Sequence, residues 1–240
     1  MARLFDNNVA NYMNRATVNL GLNGGLELSV AMWVKPTTIG TDQRFLAKEI
    51  NGIGGWKTFG LEHQGSSSKI RFLLQNNTLA QQPQWFVEAI QPPRTWVRVL
   101  AAWKGVAFDS TDAVLYLNGT ATTTSFSATG YTAAFVLQED TSNLYYGIRP
   151  VTITEPANAA LAWVNVWNRQ LTAAEALADY RRPNRVLAGL VSGVAINPDT
   201  EYSTLGGSMT VTGTLAPVEE PEYDFNRRPQ SIGWPILVAG

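Results

Sequence analysis

The chain has 240 residues, 45% of them hydrophobic and 15% charged, with a formal net charge of −1 and no cysteine. Such a balance fills the core of one large domain and excludes a disordered polyelectrolyte. It also excludes a basic nucleic-acid surface, disulfides, thiol catalysis and cysteine-ligated metal.

At the N-terminus polar residues begin by Asp6, where a cleaved secretory leader would need an apolar run. Synthesis in a host cytoplasm without a signal peptide is therefore expected. No apolar stretch reaches the ~20 residues of a membrane-spanning helix, so no membrane partner is expected. Leu26, Leu28, Val30, Met32 and Val34 alternate with Glu27, Ser29, Ala31 and Trp33, the period of two that marks a strand. Two more strands, Thr58 to Glu62 and Lys69 to Gln75, flank a turn at Gly65 to Ser68.

The segment Asn76 to Arg94 is rich in Gln and Pro and carries Trp85 and Phe86 between polar flanks. These two aromatics are the candidate ligand-binding residues, and the competing reading makes Trp85 to Val87 an ordinary strand that plugs the sandwich edge. Val97, Val99, Ala101 and Trp103 form the next face, and Val114 to Leu117 runs into Asn118-Gly119, a pair at ease with positive φ that favours a tight hairpin. Leu161, Trp163, Asn165 and Trp167 alternate with Ala162, Val164 and Val166. Thr172 and Glu175 then spell a capping box, in which hydroxyl and carboxylate each satisfy a free backbone N–H, and the short helix it starts must end before Pro183.

Beyond Pro217 the chain carries Pro221, Pro229 and Pro235, which exclude a regular helix or central strand. Its last residues include Trp234, Ile236 and Leu237, whose burial is worth about 1.5 to 3 kcal/mol per large side chain. They are the candidate partner-binding residues of an extended arm.

A strand ending W-N-R-x-L-T before one surface helix resembles the closing segment of laminin-G-like jelly rolls, the concanavalin A-like sandwich of lectins, pentraxins and some glucanases. Other segments resemble that family in its order: Phe5-Asp6 with Tyr12, Leu28 to Pro36, Gln43 to Lys48, Trp96 to Val99, Tyr116 to Gly119, and Tyr146-Gly147. The resemblance runs from about Ala2 to Pro217. It implies an all-β, two-sheet antiparallel jelly-roll β-sandwich over 1–217, with one short helix near its C-terminal side and an extended Pro-rich arm over 218–240. Trp33, Trp96, Trp103 and Trp167, each at a family motif position, are expected to be largely buried.

Glucanases of this fold carry E-x-D-x-x-E on one strand, with carboxylates flanking the sugar bond. The chain has no such motif, and Glu139-Asp140 and Glu219 to Glu222 fall in turns or the tail. His63 is the single histidine; it is expected to be an exposed hairpin residue beside Gly65, and no G-x-S-x-G elbow accompanies it. No catalytic residue is assigned, and the chain is expected not to be an enzyme. The resemblance also raises calcium, which takes roughly six to eight oxygen ligands, with Asp6, Asp109, Asp112 and Asn118 as donors. Because Ala162 stands where the family commonly has an acid, calcium is not favoured, no metal ligand is assigned and no cofactor is expected.

The resulting expectation is a non-catalytic structural or adhesive protein of a bacteriophage virion, a capsid decoration or a tail or fibre accessory protein. Its partners would be virion structural proteins or copies of itself in a homo-oligomer or lattice, with cell-surface glycans as ligands compatible with that role. The alternative is a free extracellular carbohydrate-binding module that stacks aromatics on sugar faces.

Overall fold

A computed structural model describes residues 2–15, 19–38, 40–49, 57–76, 80–88, 94–139, 142–148, 155–183, 187–194, 203–205, 209–213 and 215–218. In chain order the strands begin with β1 (Ala2–Asp6), β2 (Tyr12–Arg15), β3 (Glu27–Pro36), β4 (Gln43–Glu49) and β5 (Lys57–Gln64). There follow β6 (Lys69–Leu74), β7 (Gln82–Glu88) and β8 (Val97–Lys104). A 3-10 turn at Ser110–Asp112 leads to β9 (Ala113–Leu117), β10 (Thr120–Ala121), β11 (Ser125–Thr129), β12 (Leu144–Tyr146) and β13 (Asn158–Trp167). Helix α1 (Ala173–Arg181) is followed by β14 (Leu190–Val194), β15 (Ser203–Leu205), β16 (Met209–Thr212) and β17 (Ala216–Val218).

Two antiparallel sheets pack face to face, as expected for the sandwich. One has nine strands, ordered β10-β9-β8-β3-β13-β1-β17, with β14 on β13 and β15 on β14. The other has eight, ordered β11-β7-β6-β5-β4-β12-β2-β16. From Leu28 onward the alternation in β3 is resolved as its pattern implies, with Leu28, Val30, Met32 and Val34 entering the core between the sheets, whereas Leu26 precedes the strand and is exposed. Ala31 and Trp33 point the other way, where Trp33 lies 5.7 Å from the ring of Tyr180 on α1. The Asn118-Gly119 hairpin also forms, with φ of 52° and 78° at its two corners.

Helix α1 closes over the outer face of the nine-stranded sheet. Its capping box is complete: Thr172 Oγ1 accepts from the Glu175 N–H at 3.3 Å and Glu175 Oε2 accepts from the Thr172 N–H at 2.9 Å. A buried ion pair fastens the helix to β8, Arg98 Nε and Nη2 donating to Asp179 Oδ2 and Oδ1 at 2.8 and 2.9 Å. Of the four tryptophans expected inside, Trp33, Trp103 and Trp167 are buried, whereas Trp96 is half-buried beneath Lys35 Nζ, 5.9 Å from its ring centroid.

The simple alternation expected for β13 needs correction. Its register against β3 shifts between Ala162 and Asn165, and Trp163 adopts φ 45°. The bulge advances the phase by one residue. Leu161 therefore shares the core face with Val164 and Val166, while Asn165 and Trp167 lie on the opposite side, beneath the helical segment. The bulged carbonyl of Trp163 accepts a hydrogen bond from Arg98 Nη1.

At the other end of the chain, Val218 pairs with Ala2. The sandwich thus includes one residue that the expected boundary at 217 assigned to the arm. Trp234, Ile236 and Leu237 lie outside the described residues.

Candidate functional site

With α1 over one sheet, the outer face of the eight-stranded sheet is the broad surface that no described helix covers. Which residues it presents is fixed by phase. Phe59 and Leu61 of β5, Phe72 and Leu74 of β6, Trp85 and Val87 of β7, Met13 of β2, and Leu144 and Tyr146 of β12 fill the core. Alternation turns their neighbours Gly60, Leu73, Gln84, Asn14 and Tyr145 outward. Strand register aligns these in one row that crosses all eight strands: Thr210, Asn14, Tyr145, Ala47, Gly60, Leu73, Gln84, Ser127. At about 4.8 Å per strand the row is roughly 34 Å long. Its middle is closed to solvent at Ala47 and Leu73, and only toward its two ends does the row present side chains to solvent.

At one end stand Tyr12, Asn14, Asn143 and Tyr145, all half-buried. The two tyrosine rings lie 6.2 Å apart, inclined at 44°. Asn143 Nδ2 donates to Asn14 Oδ1 and to Tyr145 Oη, each at 3.4 Å. Aromatic faces and carboxamide groups are thereby held together by two neighbouring strands and the residue that leads into β12. Towards the other end Arg71 Nη1 donates to Gln84 Oε1 at 3.3 Å and its Nε to Glu62 Oε2 at 3.0 Å. Glu62 also pairs with Arg44, which pairs with Glu155, giving two cations and two carboxylates beside the row. Burial lowers the Arg71 guanidinium from its ordinary value, and Asp42 and Glu155 oppose that shift.

The structure separates the two expected ligand residues. Trp85 is 0% exposed, its Nε1 donates to the Ser110 carbonyl at 3.0 Å, and its ring packs on Phe72, Phe126 and Tyr131. No ring face is open to a sugar, because strand phase points the indole inward: Trp85 is a core residue. Phe86, one position on, is half-buried and sits opposite Arg71 of β6.

His63 is also corrected, from exposed to 1% exposed, with Nδ1 3.1 Å from the Thr41 carbonyl. It faces Gln43 across the β4–β5 pair rather than solvent. The oxygen donors considered for calcium each serve a separate local task. Asp6 accepts from Asn11, Asp109 caps the 3-10 turn, and Asn118 accepts from the Arg98 N–H. Asp112 accepts from the backbone of Val106, Ala107 and Phe108 and from Tyr131 Oη. Among the described residues no group of three or more His, Cys, Asp or Glu is placed to hold a metal.

The Tyr12, Asn14, Asn143 and Tyr145 cluster was missed from the sequence. The usable signal was that Tyr12 and Tyr145 each precede a residue of a family-like strand, Met13 and Tyr146, whose inward direction forces its neighbour outward.

Over residues 7–176 the sequence matches a laminin-G family described as the concanavalin A-like lectin/glucanases superfamily. The chain belongs to that superfamily. No curated protein matches it. In fold this superfamily member is similar to a heptameric SAP-like pentraxin from Limulus polyphemus, with 13% identity and a TM-score of 0.59 over 88% of this chain and 94% of that one. It is also similar to a Bacteroides ovatus protein proposed to bind carbohydrate, with 13% identity and a TM-score of 0.61 over 92% of this chain and 60% of that one. The binding domain of botulinum neurotoxin serotype G gives 14% identity and a TM-score of 0.55 over 74% of this chain and 41% of that one. At such identities the likeness is one of fold. The chain spans less than two thirds of the last two structures.

Proposed function

We propose that the chain is a non-catalytic, lectin-like adhesive protein that holds a glycan on the outer face of its eight-stranded sheet, at Tyr12, Asn14, Asn143 and Tyr145. The observation that supports this reading is the pairing of two half-buried tyrosine rings with two carboxamides at one end of the outer face of the eight-stranded sheet. A sugar ring offers an apolar face to an aromatic and hydroxyls to a group that both donates and accepts. The carbohydrate binding proposed for the Bacteroides ovatus protein, which shares the fold, points the same way.

The setting we propose is a bacteriophage virion, with the chain as a capsid decoration or a tail or fibre accessory protein. The support is compositional: Trp234, Ile236 and Leu237 form an apolar finish to a Pro-rich segment, and neighbouring subunits would cover it.

The experiment is a glycan array with the full-length chain, followed by titration of the best ligand against Tyr145→Ala and Asn14→Ala. Each variant is expected to bind at least tenfold more weakly while unfolding at the normal temperature. Binding that survives both substitutions moves the site elsewhere, and steady release of reducing ends from the ligand makes the chain an enzyme. Cross-linking mass spectrometry on purified particles tests the setting, since the proposal requires links to virion structural proteins or to copies of the chain.

A further inference from the structure

Between the sheets, where β2 and β12 look across to β14, a cation is buried without a counter-charge among the described residues. Arg15 is 7% exposed; its Nη1 donates to Ser192 Oγ at 2.8 Å, and its Nε has no hydrogen-bond partner. No carboxylate of the described residues pairs with it. Strand phase explains the direction, because Met13, two residues earlier, lies in the core. The register of β2 against β12 sets Arg15 opposite Leu144 and Met13 opposite Tyr146, so Tyr146 is the diagonal neighbour of Arg15 on the inward face. Tyr146 is fully buried, and its hydroxyl neighbours that of Ser192 without a close hydrogen bond to it. Burial raises that hydroxyl well above its ordinary value, with Arg15 and Ser192 beside it pulling the other way. Ser192, on β14 opposite Val166, is 1% exposed.

Donor capacity remains at the Nε–H of Arg15 and at the neighbouring hydroxyls of Tyr146 and Ser192, one of which can turn its hydrogen to the other while the Ser192 oxygen already accepts from Nη1. A buried charge without a partner is among the costliest arrangements a core can hold. A water molecule would accept from these donors and leave the charge uncompensated. A monovalent anion answers both deficits. A divalent one would leave surplus negative charge among Met13, Leu144 and Val166, which line the same part of the core.

We propose that Arg15, Tyr146 and Ser192 form a structural binding site for one small monovalent anion of the halide class, which ties β2 and β12 of one sheet to β14 of the other. A ligand bound by the folded state alone raises stability in step with the logarithm of its concentration.

Bromide is the probe. In crystals of the full-length chain soaked in sodium bromide, an anomalous peak is expected within hydrogen-bonding distance of Arg15 Nε and Tyr146 Oη. In solution, Tm is followed against bromide at fixed ionic strength, with sodium methanesulfonate as the balancing salt. A constant rise per tenfold increase in bromide is expected for the natural chain, a smaller one for Tyr146→Phe and none for Arg15→Met. Should Arg15→Met not fold, Tyr146→Phe and the crystal decide. A water or a carboxylate of the chain itself found at the position overturns the proposal, as does a bromide dependence that Tyr146→Phe leaves unchanged.

Discussion

Gly147 shows how a single position can carry a motif. It follows β12 with φ 80°, and a Cβ built on it would lie 2.1 Å from Cδ1 and 2.3 Å from Cε1 of Phe5. Phe5 is itself closed to solvent in the core, so the ring has nowhere to retreat. Gly147→Ala is expected to cost about 3 kcal/mol or more through the combined steric and backbone penalties, measurable by urea denaturation. Loss below 1 kcal/mol would mean that the ring and turn yield far more easily than their packing suggests. The Tyr-Gly pair was legible as a strand end, but the reason for the glycine was not, since Phe5 approaches from another strand. Trp85 and His63 teach the same lesson: composition identifies the side chain, while only register tells which way it points. Both point inward, and neither direction is written in the neighbouring residues alone.

Helix α1 was the most legible element because its start is local. Thr172 and Glu175 sit three positions apart, and the box they form depends on nothing distant. The third participant was not foreseen: Arg169 donates to both oxygens of Glu175, at 2.9 and 2.6 Å. Its hydrogen bonds, with those of Thr172, bring the Glu175 carboxyl down from its ordinary value of 4.5 to about 2. A carboxyl with a lowered value in the folded state stabilises fully above its unfolded value, and the contribution is lost as pH falls through the folded one. Acid titration of stability should therefore show a component lost from about pH 4.5 down to about pH 2 that Glu175→Gln lacks. Identical acid profiles for the two proteins would show that the box is silent. The clamp beneath the helix is a different matter. Asp179→Asn leaves the Arg98 guanidinium buried beside a neutral group, and a loss of about 3 to 5 kcal/mol is expected by chemical denaturation. The β13 bulge was hidden because a strand that shifts phase at Trp163 still reads as alternating when it is assumed straight.

For the whole molecule, the motifs made the sandwich and the sequence of its principal strands along the chain legible, because those strands announce themselves locally, by alternation or by a turn pair. The candidate glycan cluster and the buried Arg15 were not legible, since both join residues of strands far apart along the chain. Only sheet order places β12 against β2 and β14 across from them. Because the described sandwich is closed by β17, deleting Pro229 to Gly240 is expected to leave thermal unfolding within a few degrees of the full-length chain and to abolish attachment to particles or self-association. A large fall in Tm with unchanged binding per folded molecule would make that segment a strap for its own sandwich. The seam at β17 has a mechanical consequence as well. Ala2 lies directly opposite Val218, and the pairing extends only through Pro217 to Ala216, a short edge strand in which the proline has no N–H to give. Tension applied between Ala2 and Val218 would load these bonds in succession instead of together, so β17 would peel from β1 at low force while the β1–β13 pairing behind it still held.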